Sequence, residues 1–169
     1  MEILLSNKTS YYMPFTKAIK YFSLSKFMAN TFSKDTSTKV GALFLSPNTL
    51  QILSLGYNGM PRGIDENISE RWERPNKYLW VEHAERNAIY NSSLNGVSLL
   101  DSICVVSMFP CVDCARAIIQ SGCKMCITLD INEYEKETYE RWKDIWKISI
   151  EMFNETGIKL LLIKNKDLV

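Results

Sequence analysis

Apolar residues recur along this chain in two rhythms, a spacing of about 3.6 residues and short unbroken runs, and these outline helices and strands in turn. Phe15, Ala18, Ile19, Phe22, Ala29 and Phe32 keep helical spacing behind Pro14, which can open a helix, so an amphipathic core helix is expected through to Ser33. The polar run Ser33 to Lys39 ends it. Val40 to Leu45 is an apolar run of strand length, Pro47-Asn48 makes a turn, and Gln51 to Leu55 is the return strand of a hairpin. Gly56-Tyr57-Asn58-Gly59-Met60-Pro61-Arg62-Gly63 then holds three glycines and a proline in eight residues. Such a loop bends sharply and lets backbone approach a ligand closely. Arg62 to Lys77 mixes both signs of charge and reads as a solvated surface segment. It is also long for an idle connection, since loops beyond about 12 to 15 residues are often lids or binding elements.

The second half alternates. Trp80 to Ser92 reads as a helix with Ala84, Ala88 and Ile89 on its apolar face, and Ile103 to Val106 as a buried strand. Cys111 to Gln120 is a short helix, Cys126 to Leu129 a strand, Glu135 to Thr156 a long helix and Lys159 to Ile163 a last strand. Strand, helix, strand, helix, strand argues for parallel pairing with helical crossovers. With the hairpin the count is five strands, so the expected fold is α/β, a three-layer α/β/α sandwich around a five-stranded mixed sheet, in a single domain over residues 1–169. Ligands of such sheets sit at strand ends and helix starts.

Composition narrows the classes of function. Hydrophobic residues at 46% and charged residues at 23% are ordinary for a globular protein. A net charge of +1, from 20 basic and 19 acidic residues, gives no field for duplex nucleic acid or a membrane surface. No stretch is apolar enough for a transmembrane helix, and the first residues, with Lys8, Lys17 and Lys20 among polar neighbours, lack a leader's layout, so a cytoplasmic location is expected. In a reducing compartment, Cys-x-x-Cys spacing among five cysteines points to metal binding or redox chemistry over a structural disulfide.

His83 is the only histidine of the chain. With Glu85 two residues on and Pro110-Cys111-Val112-Asp113-Cys114 downstream, it matches the signature of zinc-dependent base deaminases. A catalytic zinc takes three protein ligands and keeps a fourth position open, and His83, Cys111 and Cys114 supply three. Cys111 and Cys114, three apart on a first helical turn, lie on nearly one side, and the helix N-terminus favours their thiolate form. Glu85 would point about 200° from His83 on a regular helix. Near a helix start it reaches beside the metal instead, the place of a proton shuttle. Three rivals stand against this: a packed lone histidine, a redox Cys-x-x-Cys, and a structural four-cysteine zinc site that adds Cys123 and Cys126. Only eight residues separate the two cysteine pairs, where about 15 to 20 is usual. Cys104, Cys123 and Cys126 read as core thiols.

With these motifs in place, the chain from about Ser33 to Leu162 resembles the cytidine and deoxycytidylate deaminase superfamily, and within it the deoxycytidylate (dCMP) deaminases. The likeness is carried by Ser33-Lys34-Asp35, Thr38-Lys39-Val40-Gly41-Ala42, the Gly56 to Gly63 loop, Glu82 to Ile89 and Phe109-Pro110-Cys111. It implies that His83, Cys111 and Cys114 bind Zn2+, that Glu85 transfers protons, and that Asn58 holds the sugar. By the same resemblance Val40, Gly41 and Ala42 line the base pocket, Ser33 and Lys34 hold the phosphate, and Tyr134 closes over the nucleotide. As plain residues, Asn58 and Lys34 fit a turn and Tyr134 a helix cap. The resemblance further implies a homo-oligomer, in the family often a hexamer, activated by dCTP and inhibited by dTTP near Gly59 and Arg62. Thr36 stands where the family often has proline, and a second structural zinc built with further histidines, as in some viral members, is not available here. The zinc motifs alone would fit deaminases of free nucleosides, tRNA adenosine, riboflavin precursors or single-stranded DNA, and the alternatives to dCMP are free cytidine, tRNA adenosine or dCTP as substrate, or a non-catalytic zinc-binding domain.

Overall fold

The computed structural model describes residues 2–5 and 11–168, with side chains from Met13 onward; Lys8 lies outside the described residues. Two short strands, β1 (Glu2–Leu5) and β2 (Tyr11–Pro14), pair antiparallel ahead of the first predicted element. Four-residue strands are too short to show a period, so the pattern of apolar positions did not announce them. Pro14 both ends β2 and caps α1 (Phe15–Phe32).

The main sheet contains β3 (Gly41–Leu45), β4 (Ile52–Tyr57), β5 (Ile103–Val106), β6 (Met125–Leu129) and β7 (Lys159–Ile163), in the order β4-β3-β5-β6-β7. β3 pairs antiparallel with both β4 and β5, while β5, β6 and β7 run parallel. The parallel part is where helices alternate with strands, α4 (Val112–Gln120) and α5 (Lys136–Glu155) making the crossovers. Side chains leave the strands with period two and sort into two cores. Leu43, Leu45, Ile103, Val105, Met125 and Ile127 pack with α1 through Ala18, Phe22 and Met28. On the other face Ala42, Phe44, Cys104, Val106 and Cys126 meet α3 (Ala84–Leu94), α4 and α5 through Ala84, Ala88, Ala115, Ile118 and Phe153. Every residue of β3 is buried because both faces are covered. The five-stranded α/β/α fold is as expected.

Three local departures have physical reasons. The helix expected from Trp80 starts at Ala84, behind a separate turn, α2 (Lys77–Trp80). Between them Glu82 exchanges backbone hydrogen bonds with Gly59, at 3.1 and 2.8 Å, and this ladder contact holds the residues before the helix extended. β4 continues to Tyr57 because Gly41 and Ala42 offer partners to Tyr57 and Gly56. Phe32, expected inward, is 54% exposed and stacks on Tyr57 at a centroid distance of 5.6 Å. No helix among the described residues is long and apolar enough to cross a membrane.

Gly56 sets how closely α3 lies on the sheet. A Cβ there would stand 2.4 Å from Ala88 N and 2.5 Å from Ala84 O, backbone atoms that cannot swing aside. Gly56→Ala is therefore expected to lower unfolding stability by about 1–3 kcal/mol or more as α3 is forced outward, read from urea denaturation of variant and parent.

Candidate metal centre

His83 is the N-cap residue of α3 and Cys111 that of α4, both in extended conformation, with Cys114 in the first turn behind Cys111. The two helix starts face each other at the end of β5. His83 Nδ1 lies 3.5 Å from Cys111 Sγ and 3.4 Å from Cys114 Sγ, and the three donor atoms lie within 4.8 Å of one another. Metal–ligand bonds of about 2.3 Å to sulfur and about 2.1 Å to nitrogen in a tetrahedral shell put N and S about 3.6 Å apart. The donor set fits a zinc ion in chemistry and in spacing. Among the described residues it is the one His/Cys/Asp/Glu group that does. Cys104, Cys123 and Cys126 are buried and do not join this donor group among the described residues, so the four-cysteine alternative is not assembled.

The electrostatics of the two sulfurs follow from one shared proton. The hydrogen bond from Cys114 pulls Cys111 down to about 4, helped by His83 and opposed by burial. Donating that bond, and being buried, pushes Cys114 well up. His83 is raised mainly by its hydrogen bond with Cys111. A cation binding these ligands displaces such protons, which couples metal affinity to pH.

Glu85, in the first turn of α3, is 3% exposed, and its carboxyl is pushed up by that burial. Because His83 lies just outside the helix, Glu85 lines the same cleft as His83 and Cys111 without standing among the three donors. The cleft is also lined by Val40, Asn58, Met108, Phe109 and Trp142.

The other expected residues are distributed differently. Asn58 is buried and its carboxamide is used within the chain: Oδ1 accepts from Val40 N and Ser33 Oγ, both at 2.8 Å, and Nδ2 donates to Thr38 O at 2.8 Å. Ser33 is thereby buried as a brace for Asn58. Val40 lines the cleft, whereas Gly41 packs on α1, where a Cβ would come 2.2 Å from Ser25 O, and Ala42 belongs to the core. Lys34 has a 60% exposed side chain paired with Glu66 at 2.5 Å, and it is not in the cleft lining. Tyr134 Oη accepts the Phe109 N–H at 2.7 Å, supporting the strand end that leads to Cys111. Gly59 is held in its bridge to Glu82, and Arg62 is an exposed side chain bonded to Asn91.

Sequence reasoning missed Asp35 and Lys77 as parts of this cleft. Lys77 Nζ meets Asp35 Oδ2 at 2.6 Å and Ser37 Oγ at 2.6 Å, and the Lys77 and Asp35 side chains are only 7% and 3% exposed. Asp35 also accepts from the N–H groups of Ser37 and Thr38. The available signal was an acid set among Ser and Thr in a turn; nothing in the mixed charges of residues 62–77 marked Lys77 as buried. Burial raises the Asp35 pKa, but the Lys77 bond and the Ser37 and Thr38 donors outweigh it, so the net shift is downward.

An α/β/α fold that gathers one imidazole and two thiols at paired helix starts, beside a buried carboxylate, defines the class of zinc-dependent deaminases. The family model described as cytidine and deoxycytidylate deaminase zinc-binding region matches residues 16–130, and the chain belongs to that family. The deoxycytidylate deaminase of Mus musculus is 33% identical over 136 residues, covering 77% of this chain and 74% of its own length. A protein of Aliivibrio fischeri named as an uncharacterized deaminase in the luxG 3' region is 33% identical over 145 residues, 85% of this chain and 90% of that one. In fold, the dCMP deaminase of cyanophage S-TIM5, solved with dCMP and dUMP, is similar at a TM-score of 0.69 and 24% identity, covering 89% of this chain and 99% of that one.

Two outcomes follow from the site. Elemental analysis is expected to find one zinc per chain, lost on His83→Ala and kept on Cys123→Ser; the reverse pattern would restore the four-cysteine site. The Asp35–Lys77 pair stabilises the fold fully above the ordinary carboxylate value of 3.8 and loses that effect as pH falls through the lowered one. Asp35→Asn should thus cost about 3–5 kcal/mol at pH 7, with the gap to the parent protein narrowing in acid, as urea unfolding at pH 7 and below 3.8 would show.

Proposed function

We propose that this protein hydrolyses dCMP to dUMP and ammonia. One observation carries the reading: His83, Cys111 and Cys114 converge at zinc-binding distances in a cleft that also holds the buried carboxyl of Glu85. Its support in substrate class comes from relatives that are deoxycytidylate deaminases. His83, Cys111 and Cys114 hold the zinc. The ion, when bound, supplies Lewis acidity that brings the pKa of water down to about 7. Glu85 takes a proton from the attacking water and gives it to the ring nitrogen beside C4. It then moves the second water proton to the departing amino group, so that water and dCMP balance dUMP and ammonia. Val40 borders the base, and Asn58 fixes the Val40 N–H at that border while lining the cleft beside the sugar. Phe109 and Trp142 give the cleft an aromatic part of its wall.

The reading extends to a cytoplasmic homo-oligomer that supplies dUMP for thymidylate synthesis, with dCTP activating and dTTP inhibiting it; its support is the family resemblance, and Gly59 and Arg62 are its effector residues. Zinc-loaded protein mixed with dCMP should lose cytosine absorbance and release ammonia. Glu85→Gln should keep its zinc and lose about 10²- to 10⁴-fold in kcat. No turnover of dCMP, with or without dCTP, would sink the reading.

A further inference from the structure

Between the end of β5 at Val106 and the N-cap residue Cys111 the chain runs through Ser107-Met108-Phe109-Pro110. The first residue of this turn is tied to β3: Ser107 N–H donates to Gly41 O and Gly41 N–H to Ser107 Oγ, each at 3.0 Å. The last, Pro110, has no N–H to give. The placing of Cys111 therefore depends on Phe109, which is 2% exposed and whose backbone N–H and C=O cannot turn to water.

Both groups are met by side chains from outside the turn. Phe109 N–H donates to Tyr134 Oη at 2.7 Å, and Trp146 Nε1 donates to Phe109 O at 3.1 Å. Tyr134 follows β6 and Trp146 lies within α5, so the two arrive from separate elements. They also lock each other: their ring centroids are 4.6 Å apart, and Trp146, fully buried, meets the Phe109 ring edge-on at 6.0 Å. A buried indole N–H usually finds some acceptor, and that alone would be ordinary packing. Here the two bonded groups belong to one residue, two positions before Cys111, whose ring also lines the cleft; Tyr134 itself does not line it. Metal–sulfur bonds tolerate errors of only about 0.2 Å. A turn left loose at Phe109 would misplace Cys111 Sγ relative to His83 and Cys114.

We propose that Tyr134 and Trp146 are positioning residues for the metal centre: by holding Phe109 through both of its backbone groups, they fix Cys111 as a zinc ligand. This rests on the reading of His83, Cys111 and Cys114 as the zinc ligands, and it places Tyr134 behind the cleft wall, not over the nucleotide.

The test removes the hydrogen-bonding atom and keeps an aromatic ring. Tyr134→Phe and Trp146→Phe should each bind zinc about ten- to a hundredfold more weakly in competition with a chelator. Both should shift the visible absorption bands of the cobalt-substituted protein, which report how sulfur is arranged around the ion. Phe153→Leu, two turns further along α5, should lower the urea midpoint yet leave zinc affinity and cobalt bands unchanged. Tyr134→Phe decides alone if Trp146→Phe does not fold. Variants that match the parent in affinity and bands, or a Phe153→Leu protein that loses zinc equally, would overturn the proposal. So would unchanged zinc affinity in Tyr134→Phe with a raised KM for dCMP, since that puts the hydroxyl on the nucleotide. A parent chain that takes up neither metal sinks the metal centre and the clamp together; one that binds zinc but leaves dCMP unchanged sinks only the deamination reading.

Discussion

The rest of the site depends on a single geometric constraint, that two helix starts meet at the end of one strand. A zinc shell requires a nitrogen and a sulfur donor about 3.6 Å apart, and here the imidazole meets two thiols that lie 28 and 31 residues from it in sequence. Placing His83 and Cys111 at N-caps lets each side chain leave its helix toward the shared point, while the first turn of each helix supplies Glu85 and Cys114. That meeting depends on the depth at which α3 sits, which Gly56 allows by having no Cβ against Ala84 and Ala88. It depends equally on the Gly59–Glu82 bridge, which holds the chain extended up to His83.

A second layer of order surrounds this centre and is built from buried polar groups. Leaving a charge or an amide buried without partners is expensive, and here each member satisfies the next. Lys77 and Ser37 meet on Asp35, Asn58 donates to Thr38, and its carbonyl oxygen takes the Val40 N–H at the cleft wall. Asn58 therefore acts on the cleft through backbone it holds, at the junction where β3 begins and β4 ends. The same network fastens the end of the long Arg62 to Lys77 segment, which gives that segment a purpose its mixed charge concealed.

Much of the fold was legible because each layer leaves a different pattern. Ala18 and Phe22 kept helical spacing against the sheet, Ile103 to Val106 ran apolar because both faces are covered, and the strand-helix alternation after β5 required parallel pairing. Errors fell where local pattern and tertiary contact disagree. Trp80 has good helical neighbours, yet Glu82 is captured by Gly59; Phe32 keeps the helical spacing, yet lies beyond the edge of the core, on Tyr57. Lys34 and Lys77 are alike as letters, and only their neighbours make one a surface charge and the other a buried, oriented donor.

By itself the sequence determined the chemistry: a single imidazole, a Pro-Cys-x-x-Cys turn and one glutamate two residues from the histidine leave few ways to build a reactive metal site. Residue type sets which atoms can ligate or carry protons, and spacing sets which of them share a helical turn. The tertiary structure alone decided which charges face the cleft and which face water, because burial and pairing are properties of what the folded chain brings together across distances that no local pattern records. Hence His83 and Cys111 could be named from the sequence, while the place of Lys77 beside Asp35 in the cleft required the fold.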